Sequence, residues 1–307
     1  MQDNTREIAE INKYLETEEE WENVAQVVPK FNDDVNIVDV SCSPETRLVS
    51  PLVSQERVYL YLRSGILEEY LAQVTERPQT SFDLFFNCIC SYRPLPPHLE
   101  QEKQRILATA LIPFKNEESI HLDILRSIYR QLTGAKVNCA RYGHHWEDIG
   151  FQGNDPSTDL RGVGILGIVQ GLYLVSTPEI LPFAREVYRL SLKPSQEFPL
   201  MVLSLNVTRI CLHILRDGLI DKYCLKDQDV WLRTNYLYCA VLYNIYHVWK
   251  TQNKTISNCG FVLQEAEEYT RRNPERIMED FSSHLSTNYS IAEKQEAREQ
   301  IQRDTER

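Results

Sequence analysis

The chain is short of positive charge, of apolar runs long enough to cross a bilayer, and of any series of alternating β-rich segments. Its 33 Lys and Arg stand against 44 Asp and Glu, a net charge of −11, which excludes the broad positive footprint of a general nucleic-acid binder. The longest strongly apolar run, Gly162 to Val175, is interrupted by Gln170 and falls short of the ~20 residues a spanning helix requires. It is expected to be buried in protein, and no membrane span is expected. The opening MQDNTREIAE is polar and acidic where a secretory signal would be basic and then apolar, so a cytoplasmic location is expected. In that compartment the eight cysteines are expected to be buried thiols.

Metal-ligand patterns are equally sparse. Cys88-Ile-Cys90 is a lone C-x-C without a partner pair. His144 and His145, with Glu147, Asp148 and Cys139 nearby, are adjacent histidines that point in different directions on any regular backbone, and no second pair stands at ligand spacing. No metal site is expected.

What the chain has in excess is acid at its start. Residues 1–50 hold twelve Asp and Glu against four Lys and Arg, whereas residues 121–280 hold eighteen of each. Residues 1–55 are therefore read as an acidic, largely flexible leader. Residues 56–118 form a helical N-terminal region and a Pro-rich linker. There RVYLYLRSGILEEYLAQVTE places Val58, Leu62, Ile66, Leu67 and Tyr70 on one face, SYRPLPPHLEQ breaks the pattern, and a helix runs through Ile106 and Leu107. From Ser119 to about residue 285 helical periodicity dominates. The pattern predicts helices beginning at Ser119 and at about 160–175, 179–191, 197–217, 228–250, 261–272 and 275–285. Tyr236, Tyr243 and Trp249 are read as core aromatics at helical spacing. Residues 286–307 are a charged tail. The fold class is all-α, a compact multi-helix domain behind an acidic, partly flexible N-terminal region.

Gly162-Val-Gly164-Ile-Leu166-Gly167 matches the G-x-G-x-x-G spacing of dinucleotide loops. That fingerprint needs a buried strand ahead of it, whereas GNDPSTDLR is a polar loop, and no βαβ unit follows. The glycines instead read as one face of a helix, Gly164, Gly167 and Gly171 at i, i+3 and i+7, that lets a neighbouring backbone approach. Thr158 and Asp159 are candidate caps for that helix, with Arg161 in its first turn.

The whole run from Trp146 through Gly150-Phe151-Gln152, Pro156, Thr158-Asp159 and Arg161-Gly162-Val-Gly164-Ile-Leu166 resembles the signature of the ELMO domain. His247-Val-Trp-Lys-Thr-Gln-Asn-Lys-Thr-Ile-Ser257 followed by Gly260-Phe-Val-Leu resembles its C-terminal part. The likeness spans roughly residues 119–285, is closest to the type-3 branch of the ELMO-domain-containing proteins, and implies an all-helical domain. It also implies a GTPase-activating protein for Arf-family or Arf-like small GTPases, with Arg161 at the position of the proposed catalytic arginine. The chemistry is coherent: GTP hydrolysis spreads negative charge in its transition state, and an arginine supplied in trans stabilises that charge.

Around Arg161 the resemblance gives supporting roles. Asp159 caps the helix or holds the guanidinium, Gln152 orients the loop, Pro156 stiffens it, and Gly162 and Gly164 let the backbone turn and approach a partner. Trp146 and Phe151 anchor the loop in the core, with Gly150 and Leu166 as structural members of the motif. None of these is a nucleophile, so the domain would complete a partner's active site. It would have no cofactor of its own, GTP and Mg2+ belonging to the GTPase. The alternative class is a non-catalytic interaction module or adaptor linking small-GTPase signalling to the actin cytoskeleton. Related engulfment adaptors carry an ELMO domain that departs from the motif at the arginine, whereas this chain keeps it. The type-3 likeness also implies a cytoskeletal association.

Overall fold

The computed structural model describes residues 50–74 and 94–287, and every regular element among them is helical. Helix α1 (Gln55–Arg63) starts at Ser54, whose hydroxyl accepts from the Arg57 N–H at 3.2 Å, and buries Val58 and Leu62. The continuous helix expected from Arg57 is broken at Gly65, which adopts φ +95°, and resumes as the single turn α2 (Glu68–Leu71). Helix α3 (Pro97–Thr109) opens on a proline, where the missing N–H costs nothing. Helix α4 (Ser119–Thr133) ends on Gly134, whose left-handed conformation lets its N–H donate to the Arg130 carbonyl at 2.9 Å.

Six further helices follow: α5 (Gly164–Ser176), α6 (Leu181–Ser191), α7 (Leu200–Arg216), α8 (Asp221–Asp227), α9 (Val230–Thr251) and α10 (Cys259–Arg272). A last helix, α11, covers 274–287. Every residue of α5 from Gly164 to Val175 is buried, as a helix apolar on all sides must be. It packs against α1, α3, α4, α6, α7 and α9. Helix α9, capped by Asp229 through the Leu232 N–H at 2.7 Å, forms the second axis of the core and touches α3, α7, α8 and α10.

The N-terminal helices belong to the same core as the rest. Val53 is buried and its N–H donates to Ser127 Oγ at 3.0 Å, and the Ser50 carbonyl accepts from Arg130 at 2.7 Å. Helix α3 buries Leu99, Ile106 and Leu107, and its Lys103 reaches Asp221 of α8 at 3.2 Å. The acidic leader to residue 49, Cys42, Cys88, Cys90 and the tail from residue 288 lie outside the described residues. Cys139, Cys211, Cys224, Cys239 and Cys259 are buried free thiols, and burial pushes Cys224 and Cys259 up to about 12. Trp249 is fully buried, while Tyr236 and Tyr243 each stack against Phe281. Among the described residues no single helix is long and apolar enough to cross a membrane.

Within α5, Gln170 breaks the apolar pattern. Gln170 in α5 is fully buried, and neither its amide nitrogen nor its carbonyl oxygen has a hydrogen-bond partner among the described residues. Leaving such a group unsatisfied costs about 1–3 kcal/mol. Gln170→Met, which keeps the unbranched shape, is therefore expected to raise unfolding stability by about 1 kcal/mol or more in urea titrations. A loss of stability would refute this account.

Candidate functional site

The Trp146-to-Leu166 block is assembled from two short 3-10 turns and the start of α5. The first turn, His144–Ile149, places Trp146 fully in the core, where its Nε1–H donates to the Arg141 carbonyl at 3.1 Å and its ring meets Tyr129 and Phe151 edge-on. Gly150 follows in a left-handed conformation, and its carbonyl accepts from the Val202 N–H at 3.0 Å, satisfying a donor that the first turn of α7 leaves without an intrahelical partner. The Gly143 N–H donates to the Asn154 carbonyl at 3.0 Å and closes the base of the loop.

The second turn, Pro156–Leu160, starts from Asp155 and ends at Arg161. Pro156 and Leu160 are buried under it. The Asp155 carboxylate accepts from the Ser157 N–H at 2.9 Å, and its carbonyl accepts from the Thr158 hydroxyl at 2.8 Å. Partial burial pushes this carboxyl up, but the Ser157 hydrogen bonds and the Arg141 guanidinium outweigh it and hold Asp155 below the usual carboxylate range.

Asp159 sits half-buried, and its Oδ2 accepts from the Gln152 backbone N–H at 2.6 Å. It thus ties the Gly-Phe-Gln turn to the second 3-10 turn. Gln152 contributes its backbone to this contact, and its side chain is exposed.

Helix α5 begins at Gly164, so Thr158 and Asp159 do not cap it and Arg161 does not lie in its first turn. The cap positions expected there belong to the separate 3-10 turn, which Asp155 caps. The N-terminus of α5 is instead satisfied from across the chain, the Ile165 N–H donating to the Ile112 carbonyl at 2.9 Å. A Cβ on Gly164 would meet the Ala110 and Ile112 carbonyl oxygens at 2.5 and 2.6 Å, so here the backbone approach expected of the glycine face is real. Further along that face the neighbours are side chains, Leu205 at Gly167 and Ile128 and Met201 at Gly171. Leu166 is buried in the same helix.

Arg161 stands between these parts. It is exposed, with extended backbone (φ −60°, ψ 132°), and makes no hydrogen bond or ion pair among the described residues. Gly162 beside it is exposed at φ +80°, a turn that frees the arginine from the helix axis. The structure therefore gathers Gln152, Asp159, Arg161 and Gly162 at one surface and sends Trp146, Phe151, Pro156 and Leu166 inward.

Sequence reasoning missed the residue that ties this surface together. Arg141 is 2.7 Å from Asp155 Oδ1, donates through Nε to Asn116 Oδ1 at 2.7 Å, and lies 4.4 Å from the ring centroids of both Phe114 and Tyr142. Phe114, Asn116 and Asp155 all lie far from it in sequence, so no local pattern marks it. The Asp155-Pro156 step did carry a signal, a capping residue followed by a proline at the first turn.

The Phe114–Asn116 loop is itself pinned by His121. This imidazole is fully buried; its Nδ1 accepts from the Lys115 N–H at 3.0 Å, so Nε2 carries the proton toward Tyr61 Oη, 3.0 Å away. Burial pushes His121 down to about 4 from its ordinary value near 6.5. Since the unfolded chain binds the proton more tightly, the contribution of His121 to stability is complete above pH ~6.5 and is expected to fall by about 3 kcal/mol as pH drops towards ~4. His121→Gln, read by unfolding midpoints across this window, is expected to remove most of that slope; an unchanged slope would assign it elsewhere.

The histidine and acid groups weighed as a metal site are otherwise engaged. His144 Nδ1 lies 3.1 Å from Glu147 Oε1, His145 Nε2 lies 3.1 Å from the Ala140 carbonyl, and Asp148 accepts from the Tyr129 hydroxyl at 3.2 Å. No group of three or more ligating side chains comes together among the described residues.

The family model described as ELMO/CED-12 family matches residues 104–263, from inside α3 to the start of α10. The chain is 40% identical over 195 residues to ELMO domain-containing protein 3 of Homo sapiens, covering 62% of this chain and 51% of that protein. It is 33% identical over 273 residues to the Mus musculus protein of the same name, covering 89% and 69%. It is 26% identical over 165 residues to ELMO domain-containing protein 2 of Homo sapiens, covering 52% and 53%. The chain thus spans about half the length of the human relatives it matches. No solved structure matches it. The likeness to the type-3 proteins, the match over more than half of the chain and the all-helical fold agree, and the chain belongs to the ELMO/CED-12 family.

Proposed function

We propose that the chain is a GTPase-activating protein for an Arf-family or Arf-like small GTPase and supplies Arg161 in trans to the hydrolysis transition state. The observation that carries this reading is a cation left unpaired at the surface of a rigidly tied turn. A solvated arginine on an untethered loop would pay more ordering entropy on binding than one presented by a turn that side-chain hydrogen bonds hold. In-trans arginines of this kind are worth ~10³–10⁵ in rate. In this reading GTP, Mg2+ and the attacking water belong to the partner's site. A link to the actin cytoskeleton is what the type-3 likeness adds.

The test is single-turnover GTP hydrolysis by a panel of purified Arf and Arf-like GTPases, with and without the full chain. At least one member is expected to be accelerated by about 10³-fold or more. Binding without acceleration across the panel would overturn the reading in favour of an interaction module.

A further inference from the structure

We propose that Arg141 is a positioning residue for Arg161, holding the turn that presents it by joining three separate stretches of chain through one guanidinium. The inference rests on the reading of Arg161 given above, because it concerns how that arginine is presented.

Arg141 is engaged through both the edge and the face of its guanidinium. Its edge meets Asn116 and Asp155, each at 2.7 Å, while Phe114 and Tyr142 lie 4.4 Å from its central carbon. Its own carbonyl receives the Trp146 indole N–H. A planar cation can satisfy edge and face together, and an ammonium cannot. Only 13% of the Arg141 side chain is exposed, so its charge is committed to the fold while that of Arg161 is free.

The mechanical link to Arg161 is short. Asp155 opens the 3-10 turn and Arg161 closes it, and inside the turn the Ser157 N–H and Thr158 hydroxyl both bond back to Asp155. A shift of Asp155 therefore moves the start of the turn whose other end carries Arg161. The Asp159 bond to the Gln152 N–H holds the far side, so loss of Arg141 would let the turn pivot about that contact. A misplacement of about 1 Å at a catalytic group costs up to ~10²-fold in rate.

The experiment has two arms on the full chain. In the first, amide hydrogen exchange by mass spectrometry compares wild type with Arg141→Met and Asp155→Asn. Peptides covering residues 150–163 are expected to exchange about tenfold faster in the variants, with those of α9 unchanged. In the second, single-turnover hydrolysis is measured against GTPase concentration. Arg141→Met is expected to lower the maximal rate roughly 10- to 100-fold with the half-saturating concentration changed little, and to have no further effect in an Arg161→Ala background. Arg141→Lys is expected to restore only part of the rate.

Unchanged exchange over 150–163 overturns the proposal, as does an equal rate loss in the Arg161→Ala background. Should Arg141→Met exchange fast everywhere through global unfolding, Asp155→Asn decides by the same two readouts. Fast local exchange in a chain that stimulates no GTPase would retain the positioning of the turn and overturn the activity reading alone.

Discussion

Arg161→Ala is expected to lower stimulated GTP hydrolysis by roughly 10³-fold or more at saturating partner, and Arg161→Lys to recover little of that loss. The transition state spreads charge over the transferred phosphoryl oxygens and the leaving oxygen. A guanidinium can donate to two of these at once, whereas a lysine ammonium brings the charge without the fork. Both substitutions should leave the fold intact. The side chain is exposed, makes no hydrogen bond or ion pair among the described residues, and sits on extended backbone that any residue adopts. Surface changes of this kind stay within about 0.5 kcal/mol, so unfolding curves should superimpose while rates diverge. Two kinetic outcomes would count against the assignment: wild-type rates in both variants, or a loss confined to affinity with the maximal rate preserved. The second would make Arg161 a docking contact.

The all-helical class was legible because the apolar spacing is helical along most of the chain, and the helices from α4 onward start and stop within a few residues of their periodic runs. Gly65 shows where periodicity fails. Val58, Leu62, Ile66 and Tyr70 keep their spacing across a break in the helix, and Val58, Leu62 and Tyr70 are buried on both sides of it. The short α8 escaped because seven residues carry barely two turns of pattern. At the site, the block from Trp146 to Leu166 could be recognised as a unit, yet its internal mechanics could not. Asp159 spends its charge on the Gln152 N–H, and α5 takes its first hydrogen bond from Ile112, more than fifty residues earlier in the chain. Arg141 escaped for the same reason, since a guanidinium that joins Asn116 to Asp155 leaves no trace in the spacing of its neighbours.

Breaking the ion pair between α3 and α8 should produce the largest change in stability. Lys103 Nζ lies 3.2 and 3.3 Å from the two oxygens of Asp221, and the residues are only 7% and 2% exposed. Removing either side chain leaves the other charge buried without this counter-ion, and Lys103→Met or Asp221→Asn is expected to cost about 3–5 kcal/mol. That is a large share of the roughly 5–15 kcal/mol by which domains are stable. The double variant is expected to recover most of the loss, because desolvating two charges consumes much of what their attraction returns. Urea unfolding of the four proteins gives the coupling directly, and additive single losses would show that the two side chains act independently. The position of the pair matters as much as its size. Lys103 lies one residue before the segment matched by the family model, and the Glu102 carboxylate beside it accepts from the Val230 N–H at 2.9 Å at the start of α9. Helix α3 therefore supplies a cation to α8 and a cap to α9, and two elements within the matched segment depend on side chains that precede it.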